Sequence, residues 1–337
     1  MSTLYPWQEA DWAHWQALRQ RLPHGLLLKG MPGIGKFELA LNFAHSLLCQ
    51  QTRPSGLACG VCAACQWLAQ GNHPDFRLLR PEADNEDDST ESSESASKKK
   101  PSKIIKVEQL RALEDFFNLT AHQGQHRVVV IYPAEALPPA AANALLKTLE
   151  EPTAGLLFIL VSHKPQRLLP TLLSRCLPFA ATLPSAEQAQ SWLAAQGVSD
   201  PASWLAQCSG APLAARAQAE DETGEFRTRL IGALSHPAEL DVLALAEQLQ
   251  RNELPQLVHS IQQWCYDLAA LKWGKRLRFH PQQTKVLHLL AEKIDPVRLL
   301  QLQRDLLTAR REAQHTLNPR LFIESLLFLY QQACRPR

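Results

Sequence analysis

The segment Gly30-Met31-Pro32-Gly33-Ile34-Gly35-Lys36 constrains this chain more than any other stretch. It has the G-x-x-x-x-G-K spacing of a phosphate loop. It also stands in the context that gives the spacing meaning, after the apolar run Leu26-Leu27-Leu28 and before a helical pattern from Phe37 to Leu48. Glycines let a backbone fold around phosphates with its N–H groups pointing inward, and the helix N-terminus adds positive potential. Gly30, Gly33, Gly35 and Lys36 are therefore the candidate nucleotide-binding residues. A loop of this kind works only where a strand hands over to a helix, so the first half of the chain is expected to be α/β.

Two continuous β-rich runs, Arg127 to Ile131 and Leu156 to Val161, read as strands buried on both faces. Between them, Ala140 to Glu151 is a good helix former stopped by Pro152. Strand–helix–strand order implies a parallel sheet. Residues 82–103 interrupt the pattern with an acidic, serine-rich run that turns basic at Lys98-Lys99-Lys100. Nothing apolar there is larger than alanine apart from Pro101, so a disordered surface loop is expected. Beyond Phe179, helical periodicity dominates. Helices are expected over 185–195, 203–217, 242–249, 257–271, 297–309 and 321–333.

The phosphate loop lacks its partners in catalysis. The residue after Lys36 is expected to be Ser or Thr, to hold Mg²⁺ through a hydroxyl, but it is Phe37. The Val128–Ile131 run is expected to end in an Asp that supports the metal and a Glu that activates water. Tyr132 and Pro133 follow instead, and Glu135 lies further along. Losing one electrostatic stabiliser of a phosphoryl transition state costs several kcal/mol, or roughly 10²–10³ in rate. Three losses in two motifs argue against hydrolysis by this chain. The residues leave open whether a nucleotide still binds.

Four of the eight cysteines, Cys49, Cys59, Cys62 and Cys65, lie in one short stretch with C-x9-C-x2-C-x2-C spacing. The N-terminus lacks the apolar core of a signal peptide, which favours a metal over disulfides and a cytoplasmic location. Four thiolates close a tetrahedral Zn²⁺ site with no open position, a structural arrangement. An iron–sulfur cluster remains a rival on spacing alone. His73 is a spare nitrogen nearby, expected at the surface or in a turn before Pro74. No apolar run is long enough to span a bilayer. The formal net charge of +2, from 35 basic and 33 acidic residues, signals no strongly electrostatic nucleic-acid binder.

Together the phosphate loop, the four-cysteine insert after its helix, Ala140-Ala141-Ala142-Asn143-Ala144-Leu145-Leu146-Lys147-Thr148-Leu149-Glu150-Glu151-Pro152, and Ser174-Arg175-Cys176 resemble the AAA+ clamp-loader family of bacterial DNA polymerase III. Asn318 to Glu324 resembles the family's last helix. The crippled nucleotide site looks like the branch that does not hydrolyse ATP, rather than the gamma/tau subunits that do. The resemblance implies an α/β AAA+ P-loop domain with a parallel sheet over 1–180, carrying the zinc insert at 49–65 and the disordered loop at 82–103. It further implies a small helical lid domain over 181–222 and an all-α collar domain, used in oligomerisation, over 223–337.

By the same resemblance, Arg175 is an arginine finger reaching the ATP of an adjacent gamma/tau subunit, and Ser162 sits at the sensor-1 position. The usual sensor-2 arginine position looks like Leu213, with Arg216 about one turn later. The implied partners are delta and gamma/tau in a heteropentamer, and through it the beta sliding clamp and primed DNA. The complex belongs to a DNA-directed DNA polymerase, a nucleotidyltransferase. Asn143 and Lys147 share a helix face, suited to a neighbour, DNA or solvent. Two rival readings are a catalytically active gamma-like ATPase, which ATP turnover lost on Lys36→Ala would reveal, and a zinc-dependent DNA-binding module using Lys98 to Lys100, which steeply salt-dependent DNA binding would reveal.

Overall fold

Five strands, β1 (Gly25–Lys29), β2 (Phe76–Leu79), β3 (Arg127–Ile131), β4 (Leu156–Ser162) and β5 (Leu177–Ala180), form one sheet in the order β2-β3-β4-β1-β5. Every pairing is parallel, with Val129 opposite Phe158 and Leu28 opposite Val161. These coordinates come from a computed structural model that describes residues 4–82, 104–118, 126–220, 223–315 and 317–335. The insert expected at 82–103 lies, but for Glu82, outside the described residues.

Alternation along each strand sends successive side chains to opposite faces. Leu26, Leu28, Val128, Val130, Ile159 and Val161 turn to one face, where they pack with Trp15 of helix α1 (Glu9–Leu18) and with Leu39 and Phe43 of helix α2 (Lys36–Leu48). Four further helices are α3 (Ala63–Ala69), α4 (Val107–Arg111), α5 (Glu114–Asn118) and α6 (Pro139–Glu150), and a short helix α7 (Pro170–Leu173) precedes β5. Leu27, Val129, Ile131, Phe158 and Leu160 meet Leu145 and Leu149 of α6 and Leu172 of α7 on the other face. All five residues of β3 and all seven of β4 are buried, as expected for central strands covered on both sides. Cutting Phe158 back to alanine would cost about 3–5 kcal/mol.

The chain divides into two units, Met1–Pro184 and Ser185–Arg337. Among the described residues the regular elements of the second are all helices: α8 (Ala186–Ala195), α9 (Pro201–Gln207), α10 (Pro212–Glu220), α11 (Thr223–Leu234), α12 (Val242–Leu249), α13 (Leu254–Lys272), α14 (Thr284–Lys293), α15 (Pro296–Glu312) and α16 (Pro319–Cys334). Helices α8 to α10 share a small apolar cluster of Ala189, Leu193, Leu205 and Ala215, separate from the large core of α11 to α16. Side-chain caps fix several starts: Ser185 accepts from Gln188 N, Asp241 from Ala244 N, and Asp295 from Val297 N. In the large core, Trp264 Nε1 donates to Tyr330 Oη at 2.9 Å, and Tyr330 Oη donates to the Leu234 carbonyl at 2.6 Å.

The helix expected over 203–217 is two helices. Gly210, at φ 86°, and Pro212 end one and start the next. No helix among the described residues is long and apolar enough to cross a membrane.

Candidate functional site: a closed phosphate loop

The phosphate loop runs from the end of β1 into α2. Gly30 N donates to the Ser162 carbonyl, tying the loop to the end of β4. Gly35 caps α2 in the left-handed region, with φ 82° and ψ 24°. A Cβ there would meet the Tyr5 ring at 2.5 Å, so glycine is required by conformation and by contact. The segment before α1 folds over the loop: Trp7 Nε1 donates to the Ile34 carbonyl at 2.9 Å, and Gln8 Nε2 donates to the Gly35 carbonyl at 2.6 Å.

Lys36 is only 2% exposed. Its ammonium donates to the Met31 carbonyl at 2.5 Å and to His163 Nδ1 at 2.9 Å. Because Lys36 donates, His163 Nδ1 accepts, which leaves the ring proton on Nε2, 3.3 Å from Tyr132 Oη. Burial lowers the Lys36 ammonium to about 8 against the pull of Glu135 and Glu38. Burial, then the Lys36 charge, hold His163 at about 4, so it stays a neutral acceptor.

Glu135 accepts from Ser162 Oγ at 2.8 Å and from His163 N at 3.1 Å. Its carboxylate is thus engaged by the end of β4. Phe37 and Tyr132 stack with ring centroids 4.4 Å apart and an interplanar angle of 23°. Two aromatic rings pack on each other where a working loop carries the hydroxyl and carboxylate that handle Mg²⁺. The structure therefore gathers Gly30, Gly33, Gly35, Lys36 and Ser162 around one turn. Tyr5, Trp7, Gln8 and His163 complete the site, although no spacing in the sequence pointed to them.

The four cysteines converge. Cys49 caps the C-terminus of α2, Cys62 the N-terminus of α3, and Cys65 lies in the first turn of α3. Their sulfurs all lie within 4.8 Å of one another, and the pairs Cys65–Cys49, Cys59–Cys65 and Cys49–Cys62 are 3.6, 3.8 and 3.9 Å apart. Backbone N–H groups of Cys59, Gly60, Val61 and Cys62 point at these sulfurs. The set can hold a single metal ion. His73 is not part of it; of the surface or turn position expected, the turn is found, since the His73 carbonyl accepts from Phe76 N at 3.2 Å, but the residue is only 2% exposed and its Nδ1 accepts from Asp75 N.

Arg175, at the end of α7, is partly exposed. It donates to the Thr171 carbonyl at 2.9 Å and pairs with Glu150 Oε1 at 2.5 Å. Asn143 and Lys147 are both exposed on α6. Leu213 lies in the first turn of α10, and Arg216 pairs with Glu220 on the same helix.

The family described as DNA polymerase III, delta subunit, matches residues 9–183, and its C-terminal counterpart matches residues 224–332. A DNA polymerase III subunit delta' from Pseudomonas aeruginosa is 36% identical over 97% of this chain and 97% of its own. The chain belongs to the DNA polymerase III delta-prime family. Another delta-prime relative, from Escherichia coli K12, is 30% identical over 98% of this chain and 96% of its own. Among solved structures, a gamma-subunit-related protein from Thermotoga maritima covers 95% of this chain and 99% of its own at 17% identity and TM-score 0.47. Delta-prime membership agrees with the likeness carried by the phosphate loop, the cysteine insert, Ser174-Arg175-Cys176 and, in the second unit, Asn318 to Glu324.

Proposed function

We propose that this chain is the delta-prime subunit of a DNA polymerase III clamp loader, a cytoplasmic AAA+ component that does not hydrolyse ATP itself. In this reading it assembles with delta and gamma/tau, and the complex places the beta sliding clamp on primed DNA. One observation carries the claim of inactivity: Lys36, which must reach the terminal phosphates in a working loop, is buried and bonded to Met31 and His163 of its own chain. The Phe37–Tyr132 stack supports it, since neither ring supplies the oxygen donors that Mg²⁺ favours.

Arg175 is the group this chain offers to a neighbour's ATP. A guanidinium presents a planar fork of donors that suits γ-phosphate oxygens and neutralises charge developing there. Its partial exposure and its single carboxylate partner suit a group that changes partner when subunits meet.

The cysteine insert holds Zn²⁺. A tetrahedral ion with Zn–S bonds of about 2.3 Å sets its sulfurs roughly 3.8 Å apart. The three separations of 3.6–3.9 Å agree with that spacing. Several sulfide-bridged irons would spread the thiolates further. The ion joins the end of α2 to the start of α3 across a stretch with little apolar core of its own.

The deciding experiment is co-purification with delta and gamma/tau, followed by ATPase assays with and without this chain. The isolated chain is expected to be inactive and the complete loader active. Turnover of Mg·ATP by the chain alone would refute the proposal.

A further inference from the structure

The second unit carries an open pocket of about 340 Å³ lined by Ser203 and Trp204 of α9, Arg227 and Thr228 of α11, and His280 and Gln282 of the segment before α14. Its volume lies at the small end of ligand sites. Arg227 is 5% exposed, yet among the described residues every acceptor bonded to its guanidinium is neutral. Nε donates to Ser260 Oγ at 3.0 Å, Nη1 to Gln218 Oε1 at 2.5 Å and Gln207 Oε1 at 3.4 Å, and Nη2 to Gln263 Oε1 at 3.4 Å. Among the described residues, no carboxylate forms an ion pair with it. The neighbouring Cys208 thiol, raised to about 11 by burial against the pull of Arg227, stays neutral and supplies no counter-charge. A buried cation without a counter-ion is costly, and an anion entering its cavity relieves that cost.

A second buried group faces the same space. His280 is 5% exposed, and its Nδ1 donates to Asp267 Oδ2 at 3.0 Å. Asp267 in turn accepts from the backbone N–H groups of residues 278 to 280, which fixes the ring. Nε2 is then the ring nitrogen left for a ligand, and in this tautomer it accepts. Among the described residues, Asp200 is the one carboxylate lining the pocket, and it is exposed; it caps α9 through Ser203 N and accepts from Gln282.

We propose that this cavity binds phosphate or a phosphate monoester. Arg227 supplies the charge, the Ser203 hydroxyl donates to a phosphate oxygen, and His280 Nε2 accepts the ligand's own O–H. That last bond selects for an anion that still carries a proton. Inorganic phosphate keeps one at pH 7 and a monoester keeps one only in its monoanionic fraction, whereas sulfate and the diesters of a nucleic-acid backbone carry none.

Calorimetric titration of the full chain at pH 7 tests this with four probes: inorganic phosphate, a nucleoside 5′-monophosphate, sulfate, and an oligonucleotide without terminal phosphates. Saturable one-to-one binding is expected for phosphate or for both phosphate and the monoester, telling the free ion from the ester, with sulfate and the oligonucleotide at least about tenfold weaker. Arg227→Met should weaken phosphate at least about tenfold by removing the charge-assisted bond. If that variant fails to fold, Ser203→Ala, at a partly exposed position, should still weaken it measurably. Lys36→Met should leave the affinity unchanged, which separates this cavity from the phosphate loop. No saturation with phosphate, equal binding of sulfate, or binding lost in Lys36→Met but retained in Arg227→Met would each overturn the proposal.

Discussion

Glu150 Oε1 lies 2.5 Å from Arg175 Nη2, so the arginine proposed to serve a neighbour's ATP is held by the last residue of α6 in its own chain. The pair is half-exposed, and such pairs contribute only about 0–1 kcal/mol. A γ-phosphate is a stronger partner than one solvated carboxylate. Arginine fingers are worth on the order of 10³–10⁵ in rate at the site they serve. Arg175→Ala should leave this chain folded and its assembly intact, yet remove the share of DNA-stimulated ATPase that depends on one site. Glu150→Gln should leave that activity equal or higher. Full activity with Arg175→Ala in an assembled loader would remove the finger from the account.

Restoring the lost metal ligands should not restore hydrolysis. In Phe37→Thr with Tyr132→Asp, the hydroxyl and carboxylate return to their expected positions, but Lys36 stays bonded to Met31 and His163. The stack with centroids 4.4 Å apart is lost, at a cost of about 1–3 kcal/mol. The double variant should melt lower than the parent and turn over no ATP above background. Measurable turnover would show that Lys36 swings out readily.

One zinc per chain is the expected result of elemental analysis on freshly purified protein. Cys62→Ser removes a ligand at the N-terminus of α3, so the ion should be lost and the first unit should melt several degrees lower. Iron in place of zinc, or no metal with an unchanged melting temperature, would reject the assignment.

Much of this architecture is legible in the residues themselves, and the reasons differ by element. Val128 to Ile131 of β3 and Leu156 to Val161 of β4 are apolar without interruption because helices cover both faces, and α12 shows its period plainly, so its expected limits match those observed. The edge strands β2 and β5 are short and only partly buried, and carry Arg77 and Pro178 within them, so their pattern is weak. Helix α11, whose sequence mixes Arg227 and Arg229 with Phe226 and Leu230, shows no clean stripe because one arginine points inward. In the nucleotide site, the losses at Phe37 and Tyr132 could be read from motif positions. The lock on Lys36 could not, since His163 and Gln8 reach the loop from 127 and 27 residues away in sequence. Tertiary contacts of that range leave no local periodicity.

The Lys36 lock carries a pH signature. Burial lowers the ammonium from its ordinary 10.5 to about 8, with Glu135 and Glu38 pulling the other way and His163 a neutral neighbour. Between those two values the unfolded chain holds a proton that the folded protein has released. Stability from this group therefore rises with pH across that window, and below about 8 both states are charged and the full burial cost persists. The gain amounts to about 3 kcal/mol for a side chain this deeply buried. Lys36→Met removes the titrating group. Urea unfolding of both proteins from pH 7 to 10.5 should show the parent gaining on the variant by an amount of that order. Parallel stability curves across the range would mean that the ammonium is not desolvated in solution, and that the loop is open to a nucleotide after all.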